Sequence, residues 1–168
     1  MNKFDISKLE KSVREVPDFP KPGIKFKDIT PILINPKLLS MSIEALASHV
    51  DSSSIDKIIG IDARGFIFGS LLANLLGKGF IPVRKEGKLP WQTESQAYDL
   101  EYGKSVIEIH KDAIDPGERI LIVDDLLATG GTAEAAVKLV EKLSGCLLYT
   151  SDAADDMQCV DLGGRRII

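Results

Sequence analysis

The sequence predicts an α/β fold, a mostly parallel twisted sheet flanked by helices. Two observations carry that expectation. From Lys57 onward the chain alternates short apolar runs with segments of helical period. Those runs, Lys57–Ile61, Phe80–Val83 and Arg119–Val123, are apolar nearly throughout, as strands buried on both faces are.

The elements follow in order. Ile6, Leu9, Val13 and Val16 form one apolar stripe, which predicts a first helix over about Asp5–Val16. Pro17, Pro20, Pro22 and Gly23 then interrupt regular structure. A second helix starts at Asn35-Pro36, with Asn as N-cap and Pro in the first turn. Leu39, Ile43, Leu46 and Val50 are its apolar stripe, and Asp51–Ser54 is a loop. The strand Lys57–Ile61 leads through Asp62-Ala-Arg-Gly65 into a helix, Phe66–Leu76. Phe80–Val83 is the next strand. The polar stretch Arg84–Gly103 is too long for a simple connector and reads as an irregular lid. Val106–His110 is a strand, Pro116-Gly117 a turn, and Arg119–Val123 a buried strand. The last helix is Thr132–Leu143, with Ala133, Ala136, Val137 and Val140 inward and Glu134, Lys138, Glu141 and Lys142 outward.

Composition narrows the classes. The chain has 168 residues, 21 basic and 25 acidic, for a net charge of −4. That balance argues against nucleic acid or an anionic membrane as partner. No apolar run is long enough to span a bilayer, and the first fifteen residues lack a signal-peptide core, so a cytoplasmic enzyme is expected. The two cysteines, Cys146 and Cys159, suggest neither a disulfide scaffold nor a zinc site. His49, His110 and Trp91 read as packing residues.

Chemistry concentrates in Leu121–Thr132, LIVDDLLATGGT. A buried strand runs into two acids, a Gly-Gly turn flanked by threonines, and a helix. The helix N-terminus offers unpaired N–H groups and partial positive charge. Gly130 and Gly131 let the backbone approach an anion, and Thr129 and Thr132 add hydroxyls. Asp124 and Asp125 cannot ligate a phosphate. At the carboxyl end of a strand they suit ribose hydroxyls, directly or through a cation. No G-x-x-x-x-G-K-S/T or G-x-G-x-x-G motif occurs here. The turn Asp62-Ala-Arg-Gly65 has the same strand-to-helix form.

Over Pro17–Gly145 the chain resembles the type I phosphoribosyltransferases, and the wording of Leu121–Thr132 is similar to the branch that acts on adenine. The resemblance implies that family's fold, with a small base-binding hood and a flexible lid loop. It implies transfer of the phosphoribosyl group from phosphoribosyl pyrophosphate to adenine, giving AMP and pyrophosphate in purine salvage. Mg2+ is implied through the substrate pyrophosphate, with no metal ligand assigned in the chain, and the unit implied is a homodimer. By the same resemblance Ala128, Thr129, Gly130, Gly131 and Thr132 hold the 5′-phosphate, with Asp124 and Asp125 at the ribose. Ala63 and Arg64 form the pyrophosphate loop, Arg64 being the charged catalytic donor. Arg84, Lys85 and Lys88 form a basic segment near the leaving group, and one of them can reach a neighbouring subunit's site. Phe26 stacks on the purine while the backbone of Lys25 and Lys27 reads its edge; many relatives carry Arg where Lys27 stands. Glu101 is the implied proton acceptor, and Tyr102 packs at the ribosyl centre. Two other readings share these features: transfer to a different base, and a non-catalytic regulator that binds phosphoribosyl pyrophosphate.

The sequence divides into a phosphoribosyltransferase domain, 1–145, and an atypical tail, 146–168. Cys146–Tyr149 is apolar enough to supply one more strand. Thr150–Ile168 has no period or cap logic and resembles translated linker sequence joined to a chain end; a divergent natural terminus is the alternative.

Overall fold

The computed structural model describes residues 6–100, 103–125 and 130–147. The chain divides into two compact units, Met1–Val50 and Asp51–Ile168.

In the first unit, helix α1 is Ile6–Ser12, shorter than the apolar stripe predicts. The stripe's last residue belongs instead to a strand, β1 (Arg14–Val16), which pairs antiparallel with β2 (Phe26–Asp28) in the register Glu15↔Lys27. Pairing across the proline loop outweighs local helical period here. A four-residue helix α2 (Thr30–Leu33), absent from the expectation, precedes α3 (Pro36–Ser48). The Asn35 cap is as predicted: its side chain accepts from the N–H groups of Lys37 and Leu38 at 3.0 and 3.3 Å. Leu38 and Ile43 are the buried residues of α3, while Leu39 and Leu46 are half-buried.

The second unit holds the sheet. Its strands are β3 (Lys57–Ile61), β4 (Gly79–Lys85), β5 (Thr93–Leu100), β6 (Gly103–His110), β7 (Arg119–Val123) and β8 (Cys146–Leu147), and its helices are α4 (Gly65–Leu76) and α5 (Gly131–Lys142). The order is β5-β6-β4-β3-β7-β8. The block β4-β3-β7-β8 is parallel, and β6 and β5 add an antiparallel margin. The fold is therefore mixed, with a parallel core as predicted.

Two faces pack differently. Ile59, Ile61, Ile81, Val83, Ile120 and Ile122 meet Ala136, Val137 and Val140 of α5 in one buried cluster. On the other face α4 comes down on β3 because both carry glycine. A Cβ on Gly60 would lie 2.7 Å from the Gly65 carbonyl oxygen and 2.8 Å from the Phe80 ring.

The stretch Arg84–Gly103, expected to be irregular, contains the strand β5 (Thr93–Leu100). This strand pairs with β6 from Thr93↔His110 to Leu100↔Gly103. Its sequence is polar because it is a margin strand: Glu94, Gln96 and Tyr98 are half-buried, and Ser95, Ala97 and Asp99 are exposed. Lys142 of α5 fastens it, donating to the Ser95 carbonyl at 2.7 Å and pairing with Glu94 at 3.2 Å. Trp91, expected to pack, is 65% exposed. The predicted last strand is present as β8, parallel to β7. The tail beyond Leu147 lies outside the described residues. Among the described residues no helix is long and apolar enough to cross a membrane.

Candidate active site

β3 and β7 are adjacent and parallel, so their carboxyl ends emerge side by side. Each runs into a turn that starts a helix. After β7 come Asp124 and Asp125, and later Gly130, the N-cap of α5, at φ 79° and ψ −11°. That left-handed conformation suits glycine. No side chain caps the helix, so the first-turn N–H groups of Gly131, Thr132 and Ala133 have no side-chain acceptor at the cap. After β3 come Asp62, Ala63 and Arg64, then α4, which likewise has no side-chain cap. The Asp62–Ala63 peptide is cis, and Ala63 is exposed.

The two turns touch. A Cβ on Gly65 would lie 2.8 Å from the Val123 carbonyl oxygen and 3.0 Å from Asp124 Oδ1, so only glycine lets them close to this distance. Arg64 Nε pairs with Asp125 Oδ2 at 2.9 Å, the arginine side chain 35% exposed and the aspartate only 6%. Arg64 therefore reaches across to Asp125 of the other turn.

Asp62 has different partners. Arg84 Nε lies 3.3 Å and Lys88 Nζ 3.6 Å from its Oδ2. The register Ile61↔Val83 explains why: one residue further along each parallel strand, Asp62 and Arg84 are neighbours. The Arg84 guanidinium also stands 6.0 Å from the centre of the Phe66 ring. Lys85 is exposed and, by strand alternation, points to the opposite face of β4 from Arg84. The sequence places Asp62 in the turn without marking it as a site residue. Its signal lies in sheet register, which a single sequence does not display.

Burial pushes the Asp124 carboxyl up to about 7, and the adjacent Asp125 carboxylate adds to the rise. The Asp125 N–H, donating to Asp124 Oδ1 at 2.9 Å, pulls the other way.

In the first unit Phe26 is half-buried and meets Phe19 edge-to-face, with ring centres 5.2 Å apart. The ammonium groups of Lys25 and Lys27 both pair with Glu15, which holds that carboxyl below its usual value. Their side chains are thus engaged on β1. Of the remaining predicted site residues, Glu101, Tyr102, Ala128 and Thr129 lie outside the described residues.

Among the described residues no three acidic, histidine or cysteine side chains converge as a metal site. Asp125 is held by Arg64, and Asp62 by Arg84 and Lys88. Both carboxylates are thus paired with cations of the chain itself.

Residues 28–151 match the family of the phosphoribosyl transferase domain. The adenine phosphoribosyltransferase of Yersinia pseudotuberculosis is 51% identical over 156 residues, covering 93% of this chain and 82% of that protein. Among solved structures, the adenine phosphoribosyltransferase of Thermoanaerobacter pseudethanolicus superposes with a TM-score of 0.81 at 55% identity, covering 84% of this chain and 82% of that one. The Saccharomyces cerevisiae enzyme, complexed with adenine and an imino-altritol bisphosphate, gives a TM-score of 0.84 at 43% identity, covering 88% and 86%. Fold and these likenesses agree: the chain belongs to the phosphoribosyl transferase family and, within it, to the adenine phosphoribosyltransferases.

Proposed function

We propose that this enzyme transfers the 5-phosphoribosyl group from phosphoribosyl pyrophosphate to adenine, releasing AMP and pyrophosphate. The observation that carries the reading is the pair of uncapped strand-to-helix turns joined by the 2.9 Å Arg64–Asp125 pair. Two anion sites held at a fixed separation suit a substrate with phosphates at both ends.

In this reading Gly130, Gly131 and Thr132, with Ala128 and Thr129, bind the 5′-phosphate through N–H and hydroxyl groups. Asp124 and Asp125 accept from the ribose hydroxyls. Ala63 and Arg64 receive the pyrophosphate, with Arg84, Lys85 and Lys88 as the surrounding basic segment. As the C1′–O bond to pyrophosphate breaks, negative charge grows on the leaving group and positive charge on the ribose ring. Fixed donors aimed at that charge lower the barrier, typically by about 2.7–4 kcal/mol for one donor. The new bond forms from C1′ to an adenine nitrogen, whose proton passes to Glu101. Tyr102 packs at the ribosyl centre. Phe26 stacks on the purine, and the backbone of Lys25 and Lys27 reads its edge. Engagement of both lysine side chains by Glu15 supports a main-chain role, so Lys in place of Arg at position 27 costs little. Asp62 and Asp125 are held by Arg84, Lys88 and Arg64, so Mg2+ would come on the substrate pyrophosphate and would there add charge neutralisation on the leaving group.

The working unit in this reading is a cytoplasmic homodimer in purine salvage. Exposed Leu71 and Leu75 on α4 are apolar surface of the kind a second copy covers. Turnover with phosphoribosyl pyrophosphate and a panel of adenine, guanine, hypoxanthine and orotate tests the proposal. Adenine alone is expected to be consumed rapidly. Preference for another base, or tight binding without turnover, would overturn it.

A further inference from the structure

The basic segment leaves β4 and turns sharply before β5. Glu86 N–H donates to the Val106 carbonyl at 3.1 Å, and Lys88 N–H to the Lys85 carbonyl at 3.2 Å. Arg84 Nη1 donates to the Lys88 carbonyl at 3.1 Å. The apex is Gly87, at φ 75°. Its N–H donates at 3.0 Å to Oε2 of Glu108, a residue only 9% exposed.

Glu108 is unusual in its setting. Its neighbours on β6, Ile107 and Ile109, belong to the core cluster under α5, and Glu108 points to the other face, opposite Arg84 in register. Burying a carboxylate there is costly, and an apolar residue would be more stable. Electrostatics alone also weighs against it, since an acid beside a pyrophosphate site repels the ligand. What it supplies is an acceptor for the one N–H at the apex of the turn carrying Arg84 and Lys88.

We infer that Glu108 is a positioning residue: by holding the Gly87 N–H it sets the Lys85–Lys88 turn, and so aims Arg84 and Lys88 at the pyrophosphate bound over the Asp62 turn. The inference rests on the proposed reading of that turn as the pyrophosphate side.

The test measures KM for each substrate and the calorimetric affinity for inorganic pyrophosphate, on the full chain. Glu108→Leu is expected to weaken pyrophosphate and raise KM for phosphoribosyl pyrophosphate about tenfold, with KM for adenine unchanged. Glu108→Gln, whose amide oxygen can accept the same hydrogen bond, is expected to restore wild-type values. Should the leucine variant fail to fold, Glu108→Asp keeps the charge but withdraws the acceptor, and the same KM rise is expected. Unchanged or tighter pyrophosphate binding in Glu108→Leu or Glu108→Asp would overturn the inference. So would a glutamine variant as impaired as the leucine one. Lys88→Ala separates the two layers. If it leaves pyrophosphate affinity unchanged, the reading of the basic segment falls and this inference with it. If it weakens binding while the Glu108 variants do not, only the role of Glu108 is lost.

Discussion

The turns after β3 and β7 share one architecture and differ in charge. Both leave neighbouring parallel strands, both start a helix without a side-chain cap, and both open with aspartate. After β3, Asp62 is balanced by two cations, Arg84 and Lys88. After β7, the one cation that pairs with the acids among the described residues is Arg64, on Asp125, and burial drives Asp124 up to about 7. The β3 turn thus sets two cations against Asp62, whereas the β7 turn sets two acids against one cation among the described residues. A helix N-terminus makes either turn hospitable to phosphate. Under the proposed reading, that difference in charge assigns the multiply charged leaving group to the β3 turn and the phosphate flanked by hydroxyls to the β7 turn.

The largest expected effect comes from filling the β7 turn. Gly131→Val should exclude the 5′-phosphate and weaken both AMP and phosphoribosyl pyrophosphate by ~100-fold or more, with the fold kept by circular dichroism. Normal AMP affinity in that variant would move the phosphate elsewhere. Next is the link between the turns. Arg64→Ala should lower kcat by about 10²–10³. It also leaves the nearly inaccessible Asp125 carboxylate without its ion partner, so the melting temperature should fall as well. An effect on melting alone would make Arg64 a strut between the turns without a part in catalysis.

A smaller effect is expected at Glu101. Glu101→Gln keeps size and removes the proton acceptor, so turnover should fall more than about tenfold while AMP affinity changes little. Near-normal turnover would remove it from the proton's path.

The mildest effect is a pH slope. Asp124 takes up its proton more readily folded, at about 7, than at the ordinary value of 3.8. The folded state therefore holds an extra proton between those values. Stability should decline as pH rises through that window and level off above about 7. Asp124→Asn should abolish that slope and gain ~1–2 kcal/mol at neutral pH, allowing for solvent screening on the carboxyl's open side. It should also bind AMP less well. An unchanged slope in chemical denaturation from pH 4 to 7 would remove Asp124 as its source.

The contrast between the turns was half visible in the sequence. LIVDDLLATGGT announces its turn, because a buried strand, two acids and two glycines stand together within one short run. Asp62-Ala-Arg-Gly65 announces a turn but not its partners. Arg84 meets Asp62 only through the β3–β4 register, and Arg64 meets Asp125 only because β3 lies beside β7. The same limit applies to the fold. β3 and β7 are legible because both their faces are buried, and β4 because Ile81 and Val83 are buried on one face with Phe80 and Pro82 half-buried on the other. β5 falls inside the polar stretch expected to be irregular because a margin strand held by its ladder to β6 and by Lys142 needs few apolar residues. β1 falls inside the expected first helix because its pairing with β2 spans a proline loop that helical period ignores.

The most direct measurement is a crystal structure of the enzyme with AMP and pyrophosphate. The 5′-phosphate is expected on the N–H groups of Gly131 and Thr132, the ribose hydroxyls against Asp124 and Asp125, and pyrophosphate at the Asp62–Gly65 turn beside Arg84 and Lys88. Pyrophosphate on the β7 turn, or the AMP phosphate on the β3 turn, would contradict the division of labour between them.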